Sequence, residues 1–146
     1  MFDSIAGDYD SLNHILSLDV DKIWRRRALK RIVDAPAPVR VLDLACGTGD
    51  FSIAIAKALS SATGSHVTGV DLSEGMLAVM REKVAKAGLT EMISIEEGDG
   101  ENLRFPDNTF DRVTIAFGIR NFEDRPKGLR EMLRVLKPGG RLVILE

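Results

Sequence analysis

The 146-residue sequence contains one cysteine, Cys46, and only two histidines. One cysteine cannot form a disulfide within the chain, and three such residues are too few for the usual zinc sites, so we expect no metal. No apolar run approaches the roughly 20 residues that a membrane-spanning helix needs. The amino terminus is acidic at Asp3, Asp8 and Asp10 and lacks the basic-then-apolar pattern of a secretion signal. These absences predict a cytoplasmic protein in a reducing compartment.

The chain also lacks an excess of positive charge. Twenty Lys and Arg stand against 22 Asp and Glu, a net charge of −2. Without a basic surface over the whole domain, nucleic acid is not an expected partner. The length and the 45% apolar composition are those of one globular domain.

Apolar periodicity and turn residues predict strands that alternate with helices. The predicted helices cover 20–33, 51–59, 74–87 and 126–137, and the predicted strands cover 39–44, 66–71, 92–96, 111–117 and 141–145. This alternation favours an α/β fold, a doubly wound parallel sheet with helices on both faces. We expect a single domain over 1–146, with an amino-terminal helical cap (1–35) and a core (36–146). Because the last predicted strand ends at the chain terminus with an uncovered edge, we expect the core to be incomplete.

The predicted helix over 20–33 has an apolar face that includes Ile23 and Trp24. Its other face carries six cations: Lys22, Arg25, Arg26, Arg27, Lys30 and Arg31. Such a face is usually exposed to solvent. Docking on an anionic membrane is the alternative.

The turn after the first predicted strand is the candidate binding site. Gly47 and Gly49 allow the backbone to approach a ligand closely. Asp71 follows at the end of the next strand, where a carboxylate accepts hydrogen bonds from ribose hydroxyls. The glycine pair alone is also compatible with an ordinary tight turn, but together with Asp71 it predicts a nucleoside cofactor.

The acidic residues near this turn favour a nucleoside cofactor without phosphate over a dinucleotide. The third glycine of a dinucleotide motif is replaced by Ser52, and Asp50 opens the helix where a pyrophosphate would bind. At about 4 Å and an effective dielectric of about 20, that carboxylate would repel a phosphate by about 4 kcal/mol. S-adenosylmethionine has no phosphate, and its sulfonium and ammonium groups suit Asp43 and Asp50. The alternatives are that Asp50 only complements the helix dipole and that Asp43 only bonds the following turn.

Several segments resemble one enzyme family. The segment Val41-Leu42-Asp43-Leu44-Ala45-Cys46-Gly47-Thr48-Gly49-Asp50 resembles the first motif of class I S-adenosylmethionine-dependent methyltransferases. More specific segments are Met1-Phe2-Asp3-Ser4-Ile5-Ala6, Asn13-His14-Ile15-Leu16-Ser17, Phe105-Pro106-Asp107-Asn108-Thr109-Phe110-Asp111 and Phe117-Gly118-Ile119-Arg120-Asn121-Phe122. Together they make the whole chain similar to the ubiquinone/menaquinone biosynthesis C-methyltransferases.

The resemblance implies a Rossmann-like fold, S-adenosylmethionine as cofactor and C-methylation of a prenylated quinol, with demethylmenaquinol preferred. At the positions that match the family's motifs, the resemblance implies that Thr48 contacts the cofactor, that Asp71 holds the ribose hydroxyls, and that Asp99 and Gly100 recognise adenine. Leu72 is either an apolar wall for the ring or a core residue. The cofactor-binding set is then Asp43, Gly47, Thr48, Gly49, Asp71, Leu72, Asp99 and Gly100.

The sequence departs from the family in two ways. Ala116 stands where some members have a cofactor-contacting serine. Family members also continue beyond the fifth strand.

Candidates for catalysis are Arg120 and Asn121 after the fourth strand, and Tyr9 and His14 near the amino terminus. Arg120 is suited to stabilise a quinolate, whereas His14 has the pKa of a base. A structural role is the alternative for each. The rival functions are a cofactor-binding fragment without turnover and a methyltransferase acting on another small molecule. The sequence does not indicate an oligomeric state.

Overall fold

The computed structural model describes residues 18–34, 36–60, 64–116 and 118–145. Its helices are α1 (Leu18–Val33), α2 (Asp50–Ala58), α3 (Glu74–Lys86) and α4 (Arg125–Val135), with a short 3-10 helix at Ile119–Asn121. Its strands are β1 (Arg40–Leu44), β2 (His66–Asp71), β3 (Ile93–Glu97), β4 (Phe110–Ala116) and β5 (Leu136–Leu145).

The five strands form one parallel sheet in the order β3-β2-β1-β4-β5. After β3 the chain returns to the middle of the sheet, so β1 lies between β2 and β4. Parallel sheets of this order open a crevice at the carboxyl ends of the two strands where the direction of winding changes. The predicted doubly wound sheet is confirmed.

Two hydrophobic clusters place helices on both faces of the sheet. One cluster packs α1, α2 and α3 against Val41, Val67 and Ile93. The other packs α4 and the loop before β4 against Leu42, Leu44 and Val113. Residues 41 and 42 therefore belong to opposite layers, as the alternation of side chains along a strand requires.

Local signals fix the helix ends. The side chain of Ser73 accepts a hydrogen bond from the N–H of Met76 at 3.2 Å, which caps α3 as predicted. Gly88 follows α3 with φ of +71°. Asp124 caps α4 by accepting from the N–H of Lys127 at 3.0 Å, with Pro126 in the first turn.

The boundary between α4 and β5 was predicted wrongly. The helix ends at Val135, and the extended Leu136 already pairs with Phe110 of β4. Residues 137–140, which carry the proline and glycines expected to precede the strand, lie within β5 where the pairing register shifts between Phe110 and Arg112. The buried side chain of Leu136 explains the early start of the strand.

The apolar face of α1 is narrower than predicted. Ala28 and Ile32 are buried, but Ile23 is 50% exposed and Trp24 is 44% exposed. No helix in the described part of the chain is long and apolar enough to cross a membrane.

Side chains from two strands anchor the end of α1. The carboxylate of Asp34 accepts from Arg112 at 2.9 Å and from Arg141 at 2.6 Å. The same two arginines donate to the carbonyl oxygen of Arg31 at 3.0 and 3.1 Å. These bonds hold α1 against β4 and β5.

Candidate functional site

Asp71 organises the turn that follows β1. The N–H of Gly47 donates to Oδ2 of Asp71 at 2.8 Å, and the N–H of Ser73 donates to Oδ1 at 2.9 Å. The N–H of Cys46 donates to the carbonyl of Val70 at 3.1 Å. The end of β2 therefore holds the β1–α2 turn in place, with Gly47 directly beside Asp71.

Gly49 ends the turn in a conformation that requires glycine. Its φ is +90°, and a Cβ added there would lie 2.4 Å from Cγ of Met80. The turn is thus packed directly on α3.

Asp43 is a buried carboxyl directly beneath the turn. Burial raises its pKa to about 7; the hydrogen bond from Ser52 opposes this rise, and the charge of Asp71 adds to it. The hydroxyl of Ser52 donates to Oδ2 of Asp43 at 2.6 Å. The serine at the position of a third glycine therefore has a role as the partner of Asp43.

Lys83 was missed by sequence reasoning. Its Nζ lies 3.1 Å from Oδ1 of Asp50 and 3.1 Å from Oγ1 of Thr48. The Lys83 cation offsets the charge of Asp50, so the predicted repulsion between Asp50 and a phosphate is overstated. The spacing of Met76, Met80 and Lys83 shows that they share one face of α3, but it does not show which part of the fold that face contacts.

A second turn, at residues 98–102, adjoins the first. The N–H of Gly98 donates to the carbonyl of Asp71 at 3.0 Å, which brings Asp99 and Gly100 to the end of β2. Oδ1 of Asp99 accepts from the N–H of Glu101 at 2.9 Å. Leu72, next to Asp71, is 69% exposed, so the alternative of a core role for Leu72 is wrong. An exposed leucine beside these carboxylates can contact an apolar ring.

The segment after β4 reaches the same crevice. A Cβ added to Gly118 would lie 2.5 Å from Cβ of Ala45, so this segment touches the β1–α2 turn. The backbone of Arg120 and Asn121 lies in the 3-10 helix that follows. A shallow depression of about 500 Å³ lies next to it, lined by residues 122–126.

Two of the candidate catalytic residues are not among those that the structure describes. Tyr9 and His14 lie outside the described residues. Within the described ranges, no group of three or more His, Cys, Asp or Glu is placed to hold a metal ion.

Comparison with known proteins gives consistent results. The sequence model of the ubiE/COQ5 methyltransferase family matches residues 1–146. A demethylmenaquinone methyltransferase of Bacteroides fragilis is 53% identical over 146 residues, which are 100% of this chain and 58% of that protein. A ubiquinone/menaquinone biosynthesis C-methyltransferase UbiE of Geobacter sulfurreducens is also 53% identical, over 100% of this chain and 56% of that protein. The chain thus spans a little over half the length of these curated relatives.

The fold is also found among solved structures. A SAM-dependent methyltransferase from Aquifex aeolicus superposes with a TM-score of 0.76 at 27% identity. The match covers 97% of this chain and 71% of that one.

Proposed function

The chain belongs to the ubiE/COQ5 methyltransferase family, and from this premise we propose that the complete protein methylates a ring carbon of a prenylated quinol with S-adenosylmethionine. The acceptor we favour is a demethylmenaquinol, because three relatives at 47–53% identity carry the name demethylmenaquinone methyltransferase. The observation that supports the proposal most strongly is the family match over all 146 residues, combined with a carboxylate-rich crevice at the ends of β1 and β2.

The described residues fit the cofactor. S-adenosylmethionine supplies an electrophilic methyl group on a positively charged sulfur. Asp71 already accepts two backbone N–H groups, yet a carboxylate has about four acceptor positions, so ribose hydroxyls can bind the remaining ones. Asp99 can accept from the adenine amino group, and the exposed Leu72 can cover a face of the ring. Asp43, buried next to the turn, would supply a further ionisable oxygen near the cationic part of the ligand.

The segment after β4 is proposed to face the acceptor. Arg120 and Asn121 follow β4 in the 3-10 helix, and Gly118, just before that helix, adjoins Ala45 of the cofactor-side turn. Because guanidinium stays protonated, Arg120 would stabilise the negative charge of a quinolate rather than remove its proton. Tyr9 and His14, in the amino-terminal cap, are proposed to face the acceptor as well.

The experiment compares binding with transfer in the full-length protein. Calorimetry measures the dissociation constant for S-adenosylhomocysteine, and a radiolabelled methyl group is followed into demethylmenaquinol. We expect both binding and transfer. Binding without transfer to any prenylated quinol would refute the proposed activity and favour a cofactor-binding protein. Binding of NAD in place of S-adenosylhomocysteine would refute the cofactor as well.

We further propose that α1 contacts an anionic membrane, where a prenylated acceptor would reside. The exposed Ile23 and Trp24 lie on the same side of the helix as Arg27, whose guanidinium stacks over the Trp24 ring at 5.4 Å. Arg26, Lys30 and Arg31 are also exposed. Cations together with an exposed aromatic ring are the features of helices that lie on lipid surfaces. This supports a peripheral contact beside the proposed activity.

Liposome co-sedimentation tests this contact. Neutralising Arg26, Lys30 and Arg31 to glutamine should weaken binding to anionic vesicles roughly a hundredfold, because each cation near such a surface contributes about 1 kcal/mol.

The matched control neutralises three exposed cations elsewhere: Lys57→Gln, Lys86→Gln and Arg104→Gln. The control protein should lose much less affinity than the α1 variant. Equal loss in both proteins, or binding of the unmodified protein that does not depend on anionic lipid, would refute a contact through α1.

A further inference from the structure

The ring of Phe122 lies between two glycines from different segments. A Cβ added to Gly100, in the 98–102 turn, would lie 2.6 Å from Cζ of the ring. A Cβ added to Gly128, in α4, would lie 2.1 Å from Cδ2. Since real Cβ atoms do not approach other atoms so closely, both segments touch the ring only because neither carries a side chain there.

Other bonds hold the same segments together. The N–H of Glu123 donates to Oε2 of Glu101 at 3.1 Å, directly beside the ring. From α4, Glu131 accepts from the N–H of Leu103 at 2.9 Å, and Arg134 donates to the carbonyl of Leu103 at 3.1 Å. The ring therefore lies in a packed junction between the 98–102 turn, the segment after β4 and α4.

The junction connects the two halves of the proposed site. Asp99 and Gly100 belong to the turn assigned to adenine, and Asn121 immediately precedes Phe122 in the segment assigned to the acceptor. We propose that Phe122 is a positioning residue that sets the adenine-recognising turn relative to the acceptor-side segment. Cofactor affinity and acceptor affinity both depend on its ring. This inference rests on the proposed function.

Gly128→Ala in the full-length protein is the most informative variant, because the three atoms nearest to an added Cβ all belong to the Phe122 ring. We expect the dissociation constant for S-adenosylhomocysteine and the KM for demethylmenaquinol each to rise about fivefold or more, the lower end of usual couplings between sites. Alanine is the better helix former, so loss of α4 would not explain the change. Adding Phe122→Leu should return both values toward those of the unmodified protein, because the smaller side chain leaves room for the new methyl group.

Phe105→Leu is the control. Phe105 lies in the loop before β4 and packs edge-on against Phe110 with ring centroids 5.1 Å apart. Replacing the Phe105 ring should lower the thermal unfolding midpoint and leave the dissociation constant for S-adenosylhomocysteine unchanged.

An unchanged dissociation constant and KM in Gly128→Ala would overturn the role of Phe122 but not the proposed function. The same holds if the double variant binds the two ligands no more tightly than Gly128→Ala does. An unmodified protein that binds no S-adenosylhomocysteine would overturn the proposed function and this inference together.

Discussion

Replacing Asp43 by asparagine should make the protein's stability less dependent on pH. The Asp43 carboxyl is 1% exposed, and burial raises its pKa from 3.8 to about 7. A carboxyl with a raised pKa holds its proton more tightly in the folded state. Its stabilisation is therefore complete below pH 3.8 and is lost as the pH rises through 7. At about 1.4 kcal/mol per pKa unit, the whole effect amounts to about 4 kcal/mol, of which roughly 2–3 kcal/mol falls between pH 5 and pH 8.

Urea denaturation of both proteins at pH 5, 6, 7 and 8 measures this effect. Between pH 5 and pH 8 the unmodified protein should lose roughly 2–3 kcal/mol of unfolding free energy relative to Asp43→Asn. Ser52→Ala removes a hydrogen bond that lowers the pKa of Asp43, so it should shift the loss to higher pH. Glu97→Gln, at the exposed end of β3, controls for the removal of a charge. A difference between the unmodified protein and Asp43→Asn that stays constant from pH 5 to pH 8 would refute the reasoning.

Three further substitutions test the site. Lys83→Met removes the cation shared by Asp50 and Thr48; urea denaturation should show a loss of about 1–2 kcal/mol, and an equally stable variant would contradict the described ion pair. Gly49→Ala forces a side chain into a left-handed backbone against Met80; the unfolding free energy should fall by about 2–4 kcal/mol, and a smaller loss would mean that α3 moves aside. Arg120→Ala in the complete protein should lower kcat while calorimetry finds S-adenosylhomocysteine binding nearly unchanged; equal loss of both would remove Arg120 from the acceptor side.

Much of the fold could be predicted from the sequence because its signals are local. A serine before α3 and a glycine after it act within a few residues of the helix ends, and the structure confirms both. The start of β5 could not be predicted in the same way. Pro138 and Gly139 are typical of a turn before a strand, yet the burial of Leu136 against β4 extends the strand across them.

The site was predictable where its residues belong to one strand–turn–helix–strand unit and not where they meet across the fold. Asp71 and Gly47 were placed together by the spacing of a strand–turn–helix unit. Lys83 is separated from Thr48 by 35 residues. Phe122 follows β4 in the chain and packs against Gly100, which precedes β4. Such pairs depend on how α3 and α4 pack, and no local pattern in the sequence reports that packing.

The anchorage of α1 has a consequence for the order in which the molecule assembles. The bonds from Asp34 to Arg112 and Arg141 join positions 78 and 107 residues apart. Contacts of such long sequence separation close large loops and cannot form before both partners have been synthesised. On the ribosome, α1 therefore gains both of these ionic contacts with the sheet only after β5 has been synthesised.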